Sequence, residues 1–531
     1  MSSRESSWWR SAAVYQIYPR SFADANGDGV GDLAGATSRL EHVASLGADA
    51  VWLTPFQRSP QADHGYDVSD YLDVDPLFGT LADFDDLVTH AHGLGLRVIV
   101  DLVPNHCSSA HPAFREALAA GPGSAERARF HFAPGRGPGG EQPPNNWPSV
   151  FGGPAWTRVV EPDGKPGEWY LHLYAPEQPD WNWRNPETGH LLDGALRFWL
   201  ERGADGVRID VAHGLFKAAG LPDLADPDLE PMRLRGNVLA CDQEEVHEVY
   251  RRWRLIADGY EPERVLVGEV NLLPERAARY VRPDELHQAF AFAFLAAPWD
   301  ATAWRIAAQD LLDGALRTGA PVTWVVENHD VVRAPTRYGG GSVGLARARA
   351  ALLAVLALPG SAYVYQGQEL GLPEADVPVE ARQDPAWRRS GFTRDGARVP
   401  IPWDRDPSGT HGFSADSATP WLPVPLAPEA DWGALSVAAQ DADPGSTLVL
   451  TRRALHLRRR LHAQGVLAAD DRATVDATPG GLLTVERGGT LLAVNMGASS
   501  VPCPAGEVML CSGALDPGGT LRPDTALWLR R

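Results

Sequence analysis

Arg208 stands two residues before Asp210 in the apolar run Gly206-Val207-Arg208-Ile209-Asp210. Alternation along a strand aims both side chains at one face, which sets a guanidinium beside a carboxylate. Alone, that spacing is also met by an ion pair capping a buried strand. Three further apolar runs end in acidic or imidazole groups: Leu96 to His106 with Asp101, Val265 to Glu269, and Trp324 to Asp330 with His329. Carboxyls and imidazoles gathered at strand ends are the equipment of acid–base and nucleophilic chemistry.

Such groups need a frame that brings strand ends together. Short β-rich runs alternate with helical stretches, the pattern of an α/β chain with a parallel sheet. Eight runs read as barrel strands: Val14 to Tyr18, Ala50 to Leu53, Val98 to Leu102, Gly206 to Asp210, Val265 to Glu269, Phe290 to Phe294, Thr323 to Val326 and Ala362 to Tyr365. The sixth is read as a strand from its alternation, against a helical alternative. Apolar residues recur at helical spacing in Leu192 to Arg202 and Ala346 to Leu358, and a helix over Leu448 to Ala463 would close the ring. From about Val466 onward, short runs (Gly481 to Glu486, Thr490 to Asn495, Glu507 to Cys511, Ala526 to Leu529) predict a small antiparallel β domain.

Together the four segments resemble the signature of the α-amylase family, glycoside hydrolase family 13, in order and approximate separation. Ala13 to Phe22 resembles the first barrel strand of its α-glucosidase branch, and Gln178 to Trp183 resembles that branch's loop signature. The resemblance covers essentially the whole chain; Asp210 to Lys217 and Arg394 to Trp403 look most like an actinobacterial α-glucosidase group. It implies a (β/α)8 TIM barrel in two parts, residues 1–106 and 181–465, with domain B inserted at 107–180. An active-face insertion spans about 372–441, and the C-terminal β domain is 466–531.

The resemblance also implies chemistry. Breaking a glycosidic bond takes one carboxyl to protonate the leaving oxygen and another to meet the oxocarbenium-like centre. Asp210 is implied as nucleophile, Glu269 as acid/base and Asp330 as a third carboxylate that grips sugar hydroxyls, with retained configuration. Burial and nearby carboxylates should raise the Glu269 pKa, while Arg208 keeps Asp210 ionised and Asp101 braces the site through Arg208. His106 and His329 would donate to the sugar, Tyr66 would lie beneath it, and Asp67 would accept from its far hydroxyls. Arg394 or Arg398 would pair with Asp67 and close the pocket, favouring exo-cleavage, with Phe151 and Tyr174 from domain B as further wall. Val211 resembles members preferring α-1,6 bonds, whereas the longer segments look like an α-1,4-acting group.

Asp24-Ala25-Asn26-Gly27-Asp28-Gly29-Val30-Gly31-Asp32 spaces oxygen ligands at alternate positions like half of an EF-hand. The family uses this loop for structural Ca²⁺ in several members, which implies Asp24, Asn26, Asp28, Asp32 and the Val30 carbonyl as ligands; the alternative is an Asx-rich turn. The chemistry itself calls for no cofactor. A net charge of −20 and only two lysines, Lys165 and Lys217, disfavour nucleic acid as a partner. Four scattered cysteines and a polar N-terminus without a signal-peptide core point to a reduced, cytoplasmic compartment, and no run reaches membrane-spanning length. The partner expected is a short oligosaccharide or disaccharide; nothing in the sequence specifies an oligomeric state. A transglucosylase or trehalose-synthase-like isomerase would keep the same residues, while an inactive binding relative would be expected to lack one of the three carboxylates, and all three are present.

Overall fold

The structure, a computed structural model, describes residues 7–225, 239–405, 409–415, 418–425, 431–467, 472–516 and 518–531. At its centre stand eight parallel strands: β1 Ala13–Ile17, β2 Ala50–Leu53, β3 Arg97–Leu102, β4 Gly206–Ile209, β5 Val265–Gly268, β6 Gln288–Ala289, β7 Thr323–Val325 and β8 Ser361–Tyr365. Neighbours in sequence pair from β1 to β6, β7 pairs with β8, and β8 returns to β1. A parallel bridge between Phe290 and Thr323 spans the remaining gap, so the sheet closes into a barrel. Every residue of β1, β2, β4, β5, β7 and β8 is buried, as a parallel sheet covered by helices requires.

The sixth strand departs from the expectation. Only Gln288–Ala289 pairs with β5, and Phe292–Leu295 forms a short helix. In a strand, Phe290 and Phe294 would share a face. Here they serve separate clusters. Phe290 packs inside the barrel against Trp52 and Tyr363, with ring centroids 5.5 and 5.0 Å away, whereas Phe294 packs outside against Trp304 and Trp324 at 4.7 and 5.1 Å. Burying aromatics on both sides of the wall overrides the alternation.

Two of the surrounding helices begin at polar caps that the sequence spells out. Asn185 accepts from the Glu187 N–H ahead of Pro186–Glu201, and Ser446 accepts from the Val449 N–H ahead of Thr447–Ala463. The apolar segment read as Ala346 to Leu358 lies within the helix Gly341–Ala357, whose last eight residues are all buried against the barrel. No helix among the described residues is long and apolar enough to cross a membrane.

After β3 the chain leaves the barrel through a neck where His106 bridges antiparallel to Asp180. Beyond the neck Phe132–Ala133, Pro166–Leu171 and Trp156–Val160 form an antiparallel sheet with Pro166–Leu171 central. At the other end of the chain a five-stranded antiparallel sheet orders Ala473–Ala477, Leu482–Arg487, Thr490–Asn495, Thr525–Arg530 and Glu507–Cys511. Its first strand, Ala473–Ala477, had no clear sequence signal. The stretch at about 372–441 follows β8, and within it residues 406–408, 416–417 and 426–430 lie outside the described residues.

Candidate active site

The polar groups collect at the C-terminal ends of β3, β4, β5 and β7, the face where barrels carry their sites. The β3–β4 register sets Asp101 opposite Arg208. Arg208 Nη1 donates to both oxygens of Asp101 at 3.0 and 3.1 Å and to Asp210 Oδ1 at 2.6 Å, while Nη2 lies 2.8 Å from Glu269 Oε2. One guanidinium thus carries both carboxyls implied for catalysis on its two terminal nitrogens. Glu269 Oε2 also accepts from the backbone N–H of Val211 at 3.0 Å. Val211 reaches that bond with φ of 43°, a left-handed conformation that is strained for a β-branched residue by about 1–3 kcal/mol.

Arg208 is shared among three carboxyls and is not reserved for Asp210. Burial pushes the Asp210 carboxyl well above the usual carboxylate range; Arg208 opposes this, and the charges of Glu269 and Asp101 add to it. Asp101 is likewise pushed up to about 7 by burial against the pull of Arg208. One positive charge here faces three carboxyls, so Arg208 opposes the upward push on Asp210 while serving Asp101 and Glu269 as well. Groups this close exchange protons as a unit.

Asp330 occupies the opposite electrostatic extreme. Burial works to raise its pKa, yet His329, Arg394, Arg398 and Arg208 together hold it well below the carboxylate range. Its Oδ1 accepts from Arg394 Nη1 at 3.1 Å and Arg398 Nη2 at 2.9 Å, and its side chain keeps 31% exposure, open to a ligand. Beside it His329 stacks on Tyr66 with ring centroids 5.4 Å apart, and its Nε2 is 2.7 Å from Tyr66 Oη. Its Nδ1 is 2.7 Å from Gln16 Nε2. His106 lines the same pocket, with Nε2 3.1 Å from the Tyr66 carbonyl. Burial holds both rings neutral at pH 7, with pKa values of about 4 for His106 and about 3 for His329.

Asp67 does not meet either arginine. Its Oδ1 accepts from Ser59 Oγ and the Asp63 N–H at 2.8 and 2.9 Å, its Oδ2 from the Ala62 N–H at 3.0 Å, and it is fully buried. Those bonds bind its own loop. The partner of Arg394 is Asp63, four residues earlier: Arg394 Nη2 donates to Asp63 Oδ1 at 2.8 Å. The same guanidinium donates to Asp384 Oδ2 from Nε and to Asp384 Oδ1 from Nη2, each at 2.8 Å, and lies 4.8 Å over the Phe151 ring. Phe151 in turn meets Tyr174 edge-on at 5.3 Å, and Tyr174 lies 5.2 Å from the His106 ring, so both aromatics of the inserted domain reach the pocket. Arg398 sits deeper, wholly buried, donating to the His329 carbonyl at 2.8 Å.

Several of these residues went unread in the sequence. Gln16 stood in a segment already singled out and Asp63 lies four residues before Asp67, but nothing local marks which of the two acids meets Arg394. Asp384 carries no motif; it is the helix cap ahead of Pro385–Ser390 and braces Arg394 from ten residues away.

In the Asp24 to Asp32 loop the oxygens serve the backbone. Asp24 accepts from the N–H groups of Gly27 and Gly29, Asn26 from Asp28, Asp28 from Val30, and Asp32 from Gly35, Ala25 and Asn26. No three His, Cys, Asp or Glu side chains among the described residues converge as a metal cluster. The donor chemistry nevertheless suits a hard cation. Burial raises the Asp32 carboxyl, the N–H groups of Gly35, Ala25 and Asn26 pull it back, and the nearby charge of Asp24 adds a smaller upward push.

Residues 16–465 match the family description "Alpha amylase, catalytic domain". A probable alpha-glucosidase of Rhizobium meliloti (strain 1021) is 42% identical over 481 residues, covering 85% of this chain and 82% of that protein. An oligo-1,6-glucosidase of Parageobacillus thermoglucosidasius is 33% identical over 491 residues, covering 85% and 84%. Among solved structures, the alpha-glucosyl transfer enzyme XgtA superposes with a TM-score of 0.87 at 37% identity, covering 99% of both chains. The chain belongs to the α-amylase family, glycoside hydrolase family 13. Within that family it is a glycoside hydrolase of the α-glucosidase kind.

Proposed function

We propose that this enzyme releases glucose from the non-reducing end of short α-glucosides by double displacement with retention. The observation that carries the reading is Arg208 bridging Asp210 and Glu269. Two carboxyls drawn onto one guanidinium suit direct attack, the short-spacing case of about 5–5.5 Å, better than a gap that admits water. Asp210 attacks the anomeric carbon while Glu269 gives its proton to the leaving oxygen; Glu269 then takes a proton from water, which displaces Asp210 and frees glucose. Asp330, held ionised by two arginines, accepts from sugar hydroxyls and favours positive charge at the anomeric centre. Tyr66, His106 and His329 complete the wall.

Exo-action is supported by the Asp63–Arg394–Asp330 network, which seals one end of the pocket with Phe151 behind it. Maltose-type α-1,4 bonds with broad tolerance are the preferred substrates in this reading; Val211 favours including isomaltose. Glucosyl transfer to another sugar or alcohol is the second reading, favoured by the likeness to a transfer enzyme at 37% identity. A reduced, cytoplasmic setting is proposed from the few scattered cysteines. Calcium is the proposed occupant of the Asp24 to Asp32 loop, on donor chemistry alone.

Product analysis with maltose, isomaltose, sucrose and trehalose tests the substrate class, and maltotriose tests the exo mode. Glucose and maltose should appear first from maltotriose, and soluble starch should be a poor substrate. Early release of mixed long oligosaccharides from starch would contradict the closed pocket.

A further inference from the structure

Asn105, the residue before His106, is fully buried, and its amide is held from three sides. Oδ1 accepts from Lys217 Nζ at 2.9 Å; Nδ2 lies 3.1 Å from Asp180 Oδ2 and 3.1 Å from His106 Nδ1. Lys217, also fully buried, is further bound by Asp180 Oδ2 at 2.7 Å and by the Gly214 carbonyl. This cradle joins the loop after β3, the neck of the inserted domain and the turn that follows Asp210. Gly214 is required for it, because a Cβ there would stand 2.8 Å from Asn105 Oδ1 and 2.7 Å from Val211 Cγ1.

The cradle determines which way the amide faces. An ammonium only donates and a carboxylate only accepts. Oδ1 must therefore face Lys217, and Nδ2 must face Asp180 and His106. An N–H aimed at His106 Nδ1 requires that nitrogen to be bare. The ring is neutral at pH 7, so its single proton sits on Nε2. The surroundings of Nε2 agree: the Tyr66 carbonyl accepts at 3.1 Å. Gln178 Nε2 also lies 3.2 Å from His106 Nε2, but with its oxygen accepting the Ala175 N–H that amide gives its two N–H groups to Asp63 at 3.1 Å and the Tyr66 carbonyl at 3.4 Å, leaving none for the ring.

We propose that Asn105, oriented by Lys217 and Asp180, is a positioning residue that sets the tautomer of His106, so that the proton on Nε2, which meets the Tyr66 carbonyl in this structure, is the one the ring can offer to the sugar. This rests on the reading of His106 as a sugar-binding group. Asp180 holds the same orientation from the other side, because a flipped amide would set Oδ1 against its carboxylate.

Asn105→Asp tests the chain of bonds directly. The change is nearly isosteric and keeps an acceptor for Lys217, but it replaces the donor facing Nδ1 with an acceptor, which calls the imidazole proton to Nδ1. Nitrogen-15 NMR of histidine-labelled enzyme, assigned with His106→Gln, should show Nε2–H in the wild type and Nδ1–H in Asn105→Asp. The kcat/KM for maltose should fall roughly tenfold or more. A wild-type ring protonated at Nδ1, or an Asn105→Asp variant that keeps Nε2–H, overturns the proposal; the wild-type spectrum decides even where a variant does not fold. A tautomer switch with unchanged kcat/KM would uphold the positioning chain and refute the role of His106 at the sugar.

Discussion

Arg394→Ala removes a guanidinium bonded to three carboxylates at once. Asp63 and Asp384 accept from it at 2.8 Å and Asp330 at 3.1 Å, and the Asp384 and Asp63 side chains are 0% and 4% exposed, so water cannot replace it. Stripping one partner from a buried ion pair costs about 3–5 kcal/mol, and we expect a loss of that size at pH 8. The loss should also grow with pH. In the wild type, burial pushes Asp384 up, but Arg394 and Arg398 outweigh it and hold the carboxyl below the usual range. A depressed pKa contributes stability present above the unfolded value of about 3.9 and lost as pH falls through the folded value. In the variant burial acts without Arg394, and Asp63, already raised by burial, loses the same partner. A raised pKa contributes stability only below the unfolded value and loses it as pH climbs through the folded one. From pH 5 to pH 8 the wild-type contribution of Asp384 is already complete, so the gap widens there through the raised carboxyls of the variant. Losing a charged donor at the pocket should also lower kcat/KM for maltose by about 1.5–3 kcal/mol, roughly ten- to 150-fold. Urea melts at the two pH values with maltose kinetics measure all three effects. A gap under about 1 kcal/mol at pH 8, the worth of a surface pair, or a gap equal at both pH values, would refute the reasoning.

Asp210→Asn keeps the volume of the side chain and removes the attacking oxygen, so turnover should fall by several orders of magnitude while the melt stays cooperative. Near-wild-type activity in the purified variant would end its assignment as nucleophile. Glu269→Gln should impair maltose far more than aryl glucosides with good leaving groups, and azide should then trap a glucosyl azide; equal losses on both substrates point to another acid. If calcium fills the Asp24 to Asp32 loop, a chelator should lower the melting temperature more than it lowers activity at room temperature, and Asp28→Ala should erase that effect. Melts that do not move, in protein shown by metal analysis to have carried calcium, leave the loop as a turn held by its own N–H groups.

The sequence alone determined the architecture and which strand ends carry the candidate reacting groups. Apolar runs ending in Asp101, Asp210, Glu269 and Asp330 are local patterns, and strand alternation together with the C-terminal face of a parallel barrel is enough to aim them at one place. The tertiary structure decided what depends on neighbours far along the chain. Phe290 to Phe294 alternates like a strand but turns as a helix, because its aromatics are claimed by cores on opposite sides of the wall. Asp63 and Asp67 are both acids in one short loop, and only the approach of Arg394, 331 residues after Asp63, selects the first. Arg208 was read as the partner of Asp210 and Asp101, yet the turn at Val211 brings Glu269 onto the same guanidinium as well. Charge balance in a buried site depends on how many groups share each ion, and that number is set by packing across the barrel, where a single strand carries no record of it.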